Sequence, residues 1–242
     1  MTPSDPLVAM SGIEKAFGGL RPLRIQSLAV APSSLVAVLG LDAPAAEMFT
    51  NLATGAILPD RGEVRLFGQL TSGVTDVEAW LRLLDRVGIL TDRAVLLDTM
   101  SVAQNLAMPV TLELDPLSSE LAARAAALAR EVGLTDEAID RPVGSLSAGE
   151  RLRVRFGRAL ALEPVVLLME HPTATLDRAD VATFANDVRR VCHSRGLAGI
   201  AITADRTFAQ GVTSDLRELR GADGVLVPRV QTWNPLRRFF ER

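Results

Sequence analysis

SLSAGERLRVRFGRALALEPVVLLMEHPTATLD, residues 145–177, is the most informative stretch of the chain. Ser147 carries a hydroxyl suited to capping a helix N-terminus. The Arg- and Leu-rich run after it reads as that helix. Pro164 separates the helix from Val165 to Met169, a continuous apolar run of strand length. Glu170 and His171 follow the strand at once, then Pro172, Thr173 and the pair Leu176-Asp177. A helix start and a strand end, both carrying polar groups, thus lie within thirty-three residues.

The same strand and helix grammar extends outward. Ile25 to Val30 alternates loosely, and Leu35 to Leu39 is a second continuous aliphatic run, as expected of a strand buried on both faces. Gly40 ends it, and Ala45 to Thr54 reads as a helix. Pro59-Asp60-Arg61-Gly62 is a turn, with Glu63 to Phe67 a short strand closed by Gly68. In the middle third, Asp76 to Arg86 is helical in pattern. Ser118 to Val132 is rich in Ala, Leu, Glu and Arg, starts near Ser119 and stops at Gly133. Ala179 to Ser194 is a helix ending near Gly196, Ala198 to Thr203 a buried strand, and Val225 to Val227 a short one. Apolar strands alternating with helices predict an α/β fold, a mixed or parallel sheet covered by helices.

Composition sets the outer bounds. The chain has 242 residues, 48% hydrophobic and 23% charged, enough for one sizeable core. A net charge of −3 gives no basic footprint for nucleic acid, so no nucleic-acid partner is expected. The lone cysteine, Cys192, excludes an internal disulfide and fits a reducing compartment. Arg189, Arg190 and His193 flank it, but a passive helix position is the expectation. The N-terminal MTPSDPLVAM lacks the pattern of a signal peptide. No apolar run approaches the ~18 residues of a membrane span, so any link to a membrane is expected through a partner. No internal repeat or low-complexity tract is visible.

The block from Leu146 to Asp177 resembles the ATP-binding subunits of ABC transporters. In that family an LSGGQ-type signature opens a helix ending in an RAL-like segment. A strand, an Asp-Glu-Pro-Thr sequence and a loop ending in Leu-Asp follow. Here stand Leu146-Ser147-Ala148-Gly149-Glu150, Arg158-Ala159-Leu160, the strand, Pro172-Thr173 and Leu176-Asp177. The resemblance runs over roughly residues 7–227. Lys15-Ala16-Phe17-Gly18-Gly19 matches the segment whose ring stacks on adenine, which assigns that role to Phe17. Leu58 to Val64 matches the strand pair after the phosphate loop, and Leu96 to Pro109 the start of a helical subdomain. Leu106-Ala107-Met108-Pro109 is similar to lipid and lipoprotein export ATPases. The implied fold is a P-loop NTPase-like core, residues 1–75 and 160–228, with a helical subdomain at 76–159 and a tail at 229–242.

The phosphate loop departs from the family pattern G-x-x-G-x-G-K-[ST]. Such a loop needs glycines for close backbone approach, a lysine charge and a hydroxyl on Mg²⁺, at a helix N-terminus that favours anions. This chain has Gly40-Leu41-Asp42-Ala43-Pro44-Ala45-Ala46-Glu47. Only the first glycine remains. Ala46 stands at the lysine position, Glu47 at the hydroxyl position, and Pro44 lacks an N–H. Two or three lost charge-assisted bonds, at about 1.5–3 kcal/mol each, cost very roughly 10²- to 10⁶-fold in affinity.

The other positions of that site depart too. Glu170 aligns with the family's metal-holding Asp, and His171 with the catalytic Glu. Ala204, after Ile202-Thr203 and before Asp205, takes the place of a γ-phosphate-contacting His. The Mg²⁺-sensing Gln falls near Thr91 or Asp92. His171 could act as a base near neutral pH, but a local pairing with Glu170 or a partner chain is expected instead. By contrast the signature half, with Ser147 and the amides of Ala148 and Gly149 at a helix N-terminus, suits a γ-phosphate. In this family two subunits pack head to tail, and Asp177 ends a loop at their interface.

Three functions follow from the resemblance. The first is a subunit with a degenerate ATP site (a pseudo-ATPase) that lends its signature to an ATP-competent ABC partner and couples to a transmembrane permease. ATP and Mg²⁺ would then be held only in a partner-shared site, at the cytoplasmic face of the membrane. The second is a non-catalytic ABC-shaped scaffold or regulator. The third is a divergent ATPase using Glu170 and His171. The tail Trp233 to Arg242, WNPLRRFFER, reads as a packing or partner contact.

Overall fold

A computed structural model describes residues 5–18, 21–220 and 222–228. Gly19 and the tail from Trp233 to Arg242 lie outside the described residues. The chain forms strands β1 (Val8–Lys15), β2 (Leu23–Val30), β3 (Leu35–Leu39), β4 (Arg61–Leu66), β5 (Gln69–Leu70), β6 (Val87–Leu90), β7 (Val166–Glu170), β8 (Ala198–Thr203), β9 (Leu216–Arg220) and β10 (Val225–Pro228). Its helices are α1 (Ala43–Ala53), α2 (Val77–Leu84), α3 (Val102–Ala107), α4 (Ser119–Glu131), α5 (Ala148–Leu160), α6 (Arg178–Arg195) and α7 (Arg206–Val212).

The strands join one sheet in the order β5-β4-β1-β2-β10-β9-β3-β8-β7-β6. β9, β3, β8, β7 and β6 run parallel, whereas β1, β2, β4 and β5 pair antiparallel. The sheet is therefore mixed, and the continuous apolar runs of β3, β7 and β8 fall in its parallel part. Strand periodicity splits the core in two. Ala37, Leu39, Leu167, Met169 and Ala201 pack with α3 to α7 on one face. Val36, Val38, Val166, Leu168, Ile200 and Ile202 pack with α1, β1, β2 and β4 on the other. Side chains of a strand alternate in direction, so one continuous aliphatic run feeds both cores.

On the first face, Phe184 of α6 lies edge-on to Phe156 of α5, with centroids 5.9 Å apart, and stacks on Phe208 of α7 at 5.8 Å. α6 ends where Gly196 turns left-handed, with φ 64°, a conformation that costs glycine little. α4 begins at its expected start, Ser119, with Ser118 as the cap, its Oγ accepting from Leu121 N–H.

Several elements escape the pattern reading. β6 pairs with β7 and so joins the sheet, although it lies inside the 76–159 stretch expected to be helical. α3 has six residues, fewer than two turns, too short to show a period. It is held instead by a capping box between Ser101 and Gln104. β9, LRELR, carries three charges, and its pairing with β3 and β10 determines it.

Candidate functional site

The turn between β3 and α1 is shaped by Gly40, at φ 87°, where an added Cβ would lie 3.2 Å from Leu219 Cβ. Asp42 then caps α1, its Oδ1 accepting from Ala45 N–H at 2.9 Å, with Pro44 in the first turn. Ala46 N–H donates to the Asp42 carbonyl at 2.8 Å. The chain itself thus engages the Ala45 and Ala46 donors, and the cap adds a carboxylate there. The Ala45 and Ala46 side chains are buried.

Glu47, one residue further on, points to a neighbour that the sequence reading did not single out. Arg93 Nη1 pairs with Glu47 Oε1, and Arg93 Nη2 donates to Glu170 Oε2 at 2.6 Å. Arg93 Nε and its backbone N–H both donate to Thr91 Oγ1 at 3.3 Å. One guanidinium therefore spans α1, the segment after β6 and the end of β7. The Glu170 side chain is 7% exposed, so its charge needs a partner. A cavity of about 480 Å³ beside this group is lined by Pro44, Ala46, Glu47, Arg93, Glu170 and His171. No sequence signal pointed to Arg93, because it meets Glu47 and Glu170 only through the fold.

His171 does not pair with Glu170 as expected. Glu170 Oε2 is taken by Arg93, while Glu170 Oε1 and His171 Nε2 are buried without hydrogen-bond partners. His171 is turned to φ 41°, and its N–H donates to the Ile202 carbonyl at 2.7 Å. That left-handed backbone is unusual for a non-glycine residue. A second cavity, of about 570 Å³, opens beside His171, Thr173, Thr203, Ala204 and Asp205. Asp205 caps α7, accepting from Thr207 and Phe208 N–H. Among the described residues no group of three His, Cys, Asp or Glu is placed to hold a metal ion.

The signature segment forms a separate site. Ser147 caps α5 in a capping box: its Oγ accepts from Glu150 N–H at 3.2 Å, and Glu150 Oε2 accepts from Ser147 N–H at 2.8 Å. The Ser147 N–H holds the Glu150 carboxyl below its usual range, with Arg141 adding to the effect. The first helical bond returning to the cap comes from Arg151 N–H, so the amides of Ala148 and Gly149 precede it. A cavity of about 200 Å³ here is lined by Ser147, Gly149, Glu150, Leu176 and Asp180, none of which borders the cavity beside Arg93. Within one chain the two halves therefore stay apart. Asp177 caps α6 without a side-chain bond and is exposed.

Two further segments were placed by the structure. Phe17 is half-buried against the second core. Its loop is tied to the 59–62 turn, where Lys15 Nζ pairs with Asp60 at 2.7 Å and Ala16 N–H donates to the same carboxylate. The segment after β6 is held to α5, with Arg155 Nε donating to the Ala94 carbonyl and Arg158 Nη1 to that of Val95. Burial lowers the pKa of both guanidinium groups.

The chain's relatives are consistent in kind. The family described as ABC transporter matches residues 26–174. The lipoprotein-releasing system ATP-binding protein LolD 2 of Caulobacter vibrioides is 31% identical over 86% of this chain and 92% of its own length. The methionine import ATP-binding protein MetN of Brucella abortus is 30% identical over 83% of this chain, which spans only 53% of that protein. Among solved structures, a dimeric ATP-binding cassette bound to ADP and phosphate has a TM-score of 0.75 at 19% identity, covering 92% of this chain and 97% of its own. A Clostridium perfringens cassette from an ABC transporter complex has a TM-score of 0.77, also at 19% identity, covering 93% and 88%.

Proposed function

Since this chain belongs to the ABC transporter family of ATP-binding subunits, we propose that it works as the degenerate member of an asymmetric pair of cassettes. Its own phosphate loop does not hold Mg-ATP. It presents Ser147, Ala148 and Gly149 to the nucleotide of an ATP-competent partner and couples their closure to a transmembrane permease. The partner's site supplies the ATP and Mg²⁺. No helix among the described residues is long and apolar enough to cross a membrane. In this reading, the permease supplies the membrane attachment.

The observation that carries this reading is the start of α1. Asp42 places a carboxylate on the Ala45 amide, Pro44 has no N–H, and Ala46 and Glu47 supply neither lysine nor hydroxyl. A helix N-terminus attracts anions through its free N–H groups and partial positive charge. Here an acidic side chain of the chain itself already uses that end. Phe17 alone could stack on a base but offers nothing to the phosphates. At the signature, the Ser147 hydroxyl accepts from Glu150 yet keeps its own proton to donate, and two amides stand free of helical bonds.

Two measurements test the proposal. Calorimetric titration of Mg-ATP into the chain alone is expected to give no binding heat; micromolar binding would move the reading to a divergent ATPase using Glu170 and His171. In a complex reconstituted with an ATP-competent cassette and permease, Ser147→Arg is expected to abolish most of the ATPase rate, because the bulky cation blocks the signature. An unchanged rate there would leave the scaffold reading in its place.

A further inference from the structure

We infer that Arg93 is a positioning residue that serves as the built-in cation of the degenerate site, locking the segment 91–98 to α1 and β7 without any nucleotide. This rests on the preceding reading that the site takes no Mg-ATP, and it adds what fills the gap.

The charges require it. Glu170 is almost fully buried at the end of β7, and Glu47 faces it from α1. A buried carboxylate without a partner is costly, and losing the partner of a buried ion pair leaves an uncompensated charge. Arg93 supplies one planar cation whose two nitrogens reach the two carboxylates separately. A lysine, as a point charge, offers no such fork. By the family resemblance these two carboxylates stand where a metal-holding group and a metal-binding hydroxyl would be. The guanidinium therefore lies where cationic charge would gather around bound phosphates.

The residues just after Arg93 give this pairing a mechanical consequence. The carbonyls of Ala94 and Val95 accept from Arg155 and Arg158 on α5, and Asp98 pairs with Arg151 at 2.8 Å. α5 is the helix that Ser147 caps. A continuous series of ion pairs and arginine hydrogen bonds thus runs from α1, through Arg93 and its segment, to the signature helix. The chain's own side chains make every link, so the segment keeps its place whether or not ATP is present. The design suits a subunit that presents its signature constantly and leaves the nucleotide-driven movement to its partner.

The test is hydrogen exchange on the full-length chain without nucleotide. Arg93→Ala is expected to raise exchange of the 91–98 amides by about tenfold, as a loss of local protection, with the two cores unaffected. Methylguanidinium at millimolar concentration should restore protection, whereas the neutral methylurea of the same shape should not. Unchanged exchange in Arg93→Ala would overturn the inference, and so would equal restoration by methylurea. If Arg93→Ala does not fold, Glu47→Ala, which removes one arm, decides: increased exchange at 91–98 supports the inference and wild-type exchange overturns it. Wild-type protein exposed to Mg-ATP separates the two readings. Nucleotide binding there would count against the degenerate site, while the nucleotide-free comparison still judges Arg93 by itself.

Discussion

At the scale of single residues, burial decides which groups can react. Burial pushes the Cys192 thiol up to about 12, so at neutral pH it carries almost no thiolate, the reactive form. Iodoacetamide at pH 8 is expected to leave the native chain unlabelled and to label it once unfolded in urea; rapid native labelling read by mass spectrometry would contradict this. Flanking basic residues suggest reactivity only if the sulfur is exposed, and Cys192 faces the core of α6. Ser147 shows the opposite balance, a side chain set at a surface end of a helix. Ser147→Ala is expected to cost about 1 kcal/mol of stability, a typical value for a lost cap, seen as a lower urea midpoint. The reciprocal Glu150 carries a pH signature. Its carboxyl is held below the usual value of 4.5 in the folded chain. Its contribution is therefore complete above that value and disappears as pH falls through the folded pKa. The stability difference between wild type and Glu150→Gln is expected to shrink as pH falls from neutrality into the acid range; a difference independent of pH would remove the charge from the account.

At the scale of elements, close approach sets limits that propensity scales miss. Gly88 in β6 lies under the C-terminal turn of α5, and an added Cβ would sit 2.3 Å from the Ala159 carbonyl oxygen. Backbone cannot rotate away as a side chain can. Gly88→Ala is therefore expected to lose about 1–3 kcal/mol, although alanine loses less backbone entropy than glycine. A wild-type melting curve for that variant would show that β6 and α5 can separate without cost. The cap of α1 offers a companion case. Asp42→Ala is expected to destabilise the chain by about 1 kcal/mol, yet it does not create a phosphate site, since Ala46 and Glu47 remain. These two elements frame the segment 91–98, so their packing and the Arg93 contacts act on the same stretch of chain.

At the scale of the whole molecule, the sheet joins two cores, and the aromatic trio on one face ties together three helices. Phe184 is buried to 2% exposure between Phe156 and Phe208. Phe184→Ala is expected to cost about 3–5 kcal/mol, a large share of the 5–15 kcal/mol that typically holds a domain together, read from the denaturant midpoint. A ligand that binds only the folded state raises stability by mass action. Millimolar Mg-ATP is accordingly expected to leave the melting temperature of the isolated chain unchanged, and a shift of several degrees would contradict the degenerate reading.

The sequence by itself determined the α/β class, the buried strands β3, β7 and β8, and the helices α4 and α6. Those features are local: a continuous apolar run or a run of helix formers with its stop can each be read without knowing what lies opposite. Tertiary structure decided the rest. β9 is a strand because β3 and β10 offer it hydrogen bonds, not because LRELR alternates. His171 makes no hydrogen bond to Glu170, whose Oε2 is taken by Arg93. Arg93 became part of the site because the fold brings it between Glu47, forty-six residues before it, and Glu170, seventy-seven after it. Charge pairing acts through space, and no spacing rule along the chain encodes which distant cation will balance a buried carboxylate.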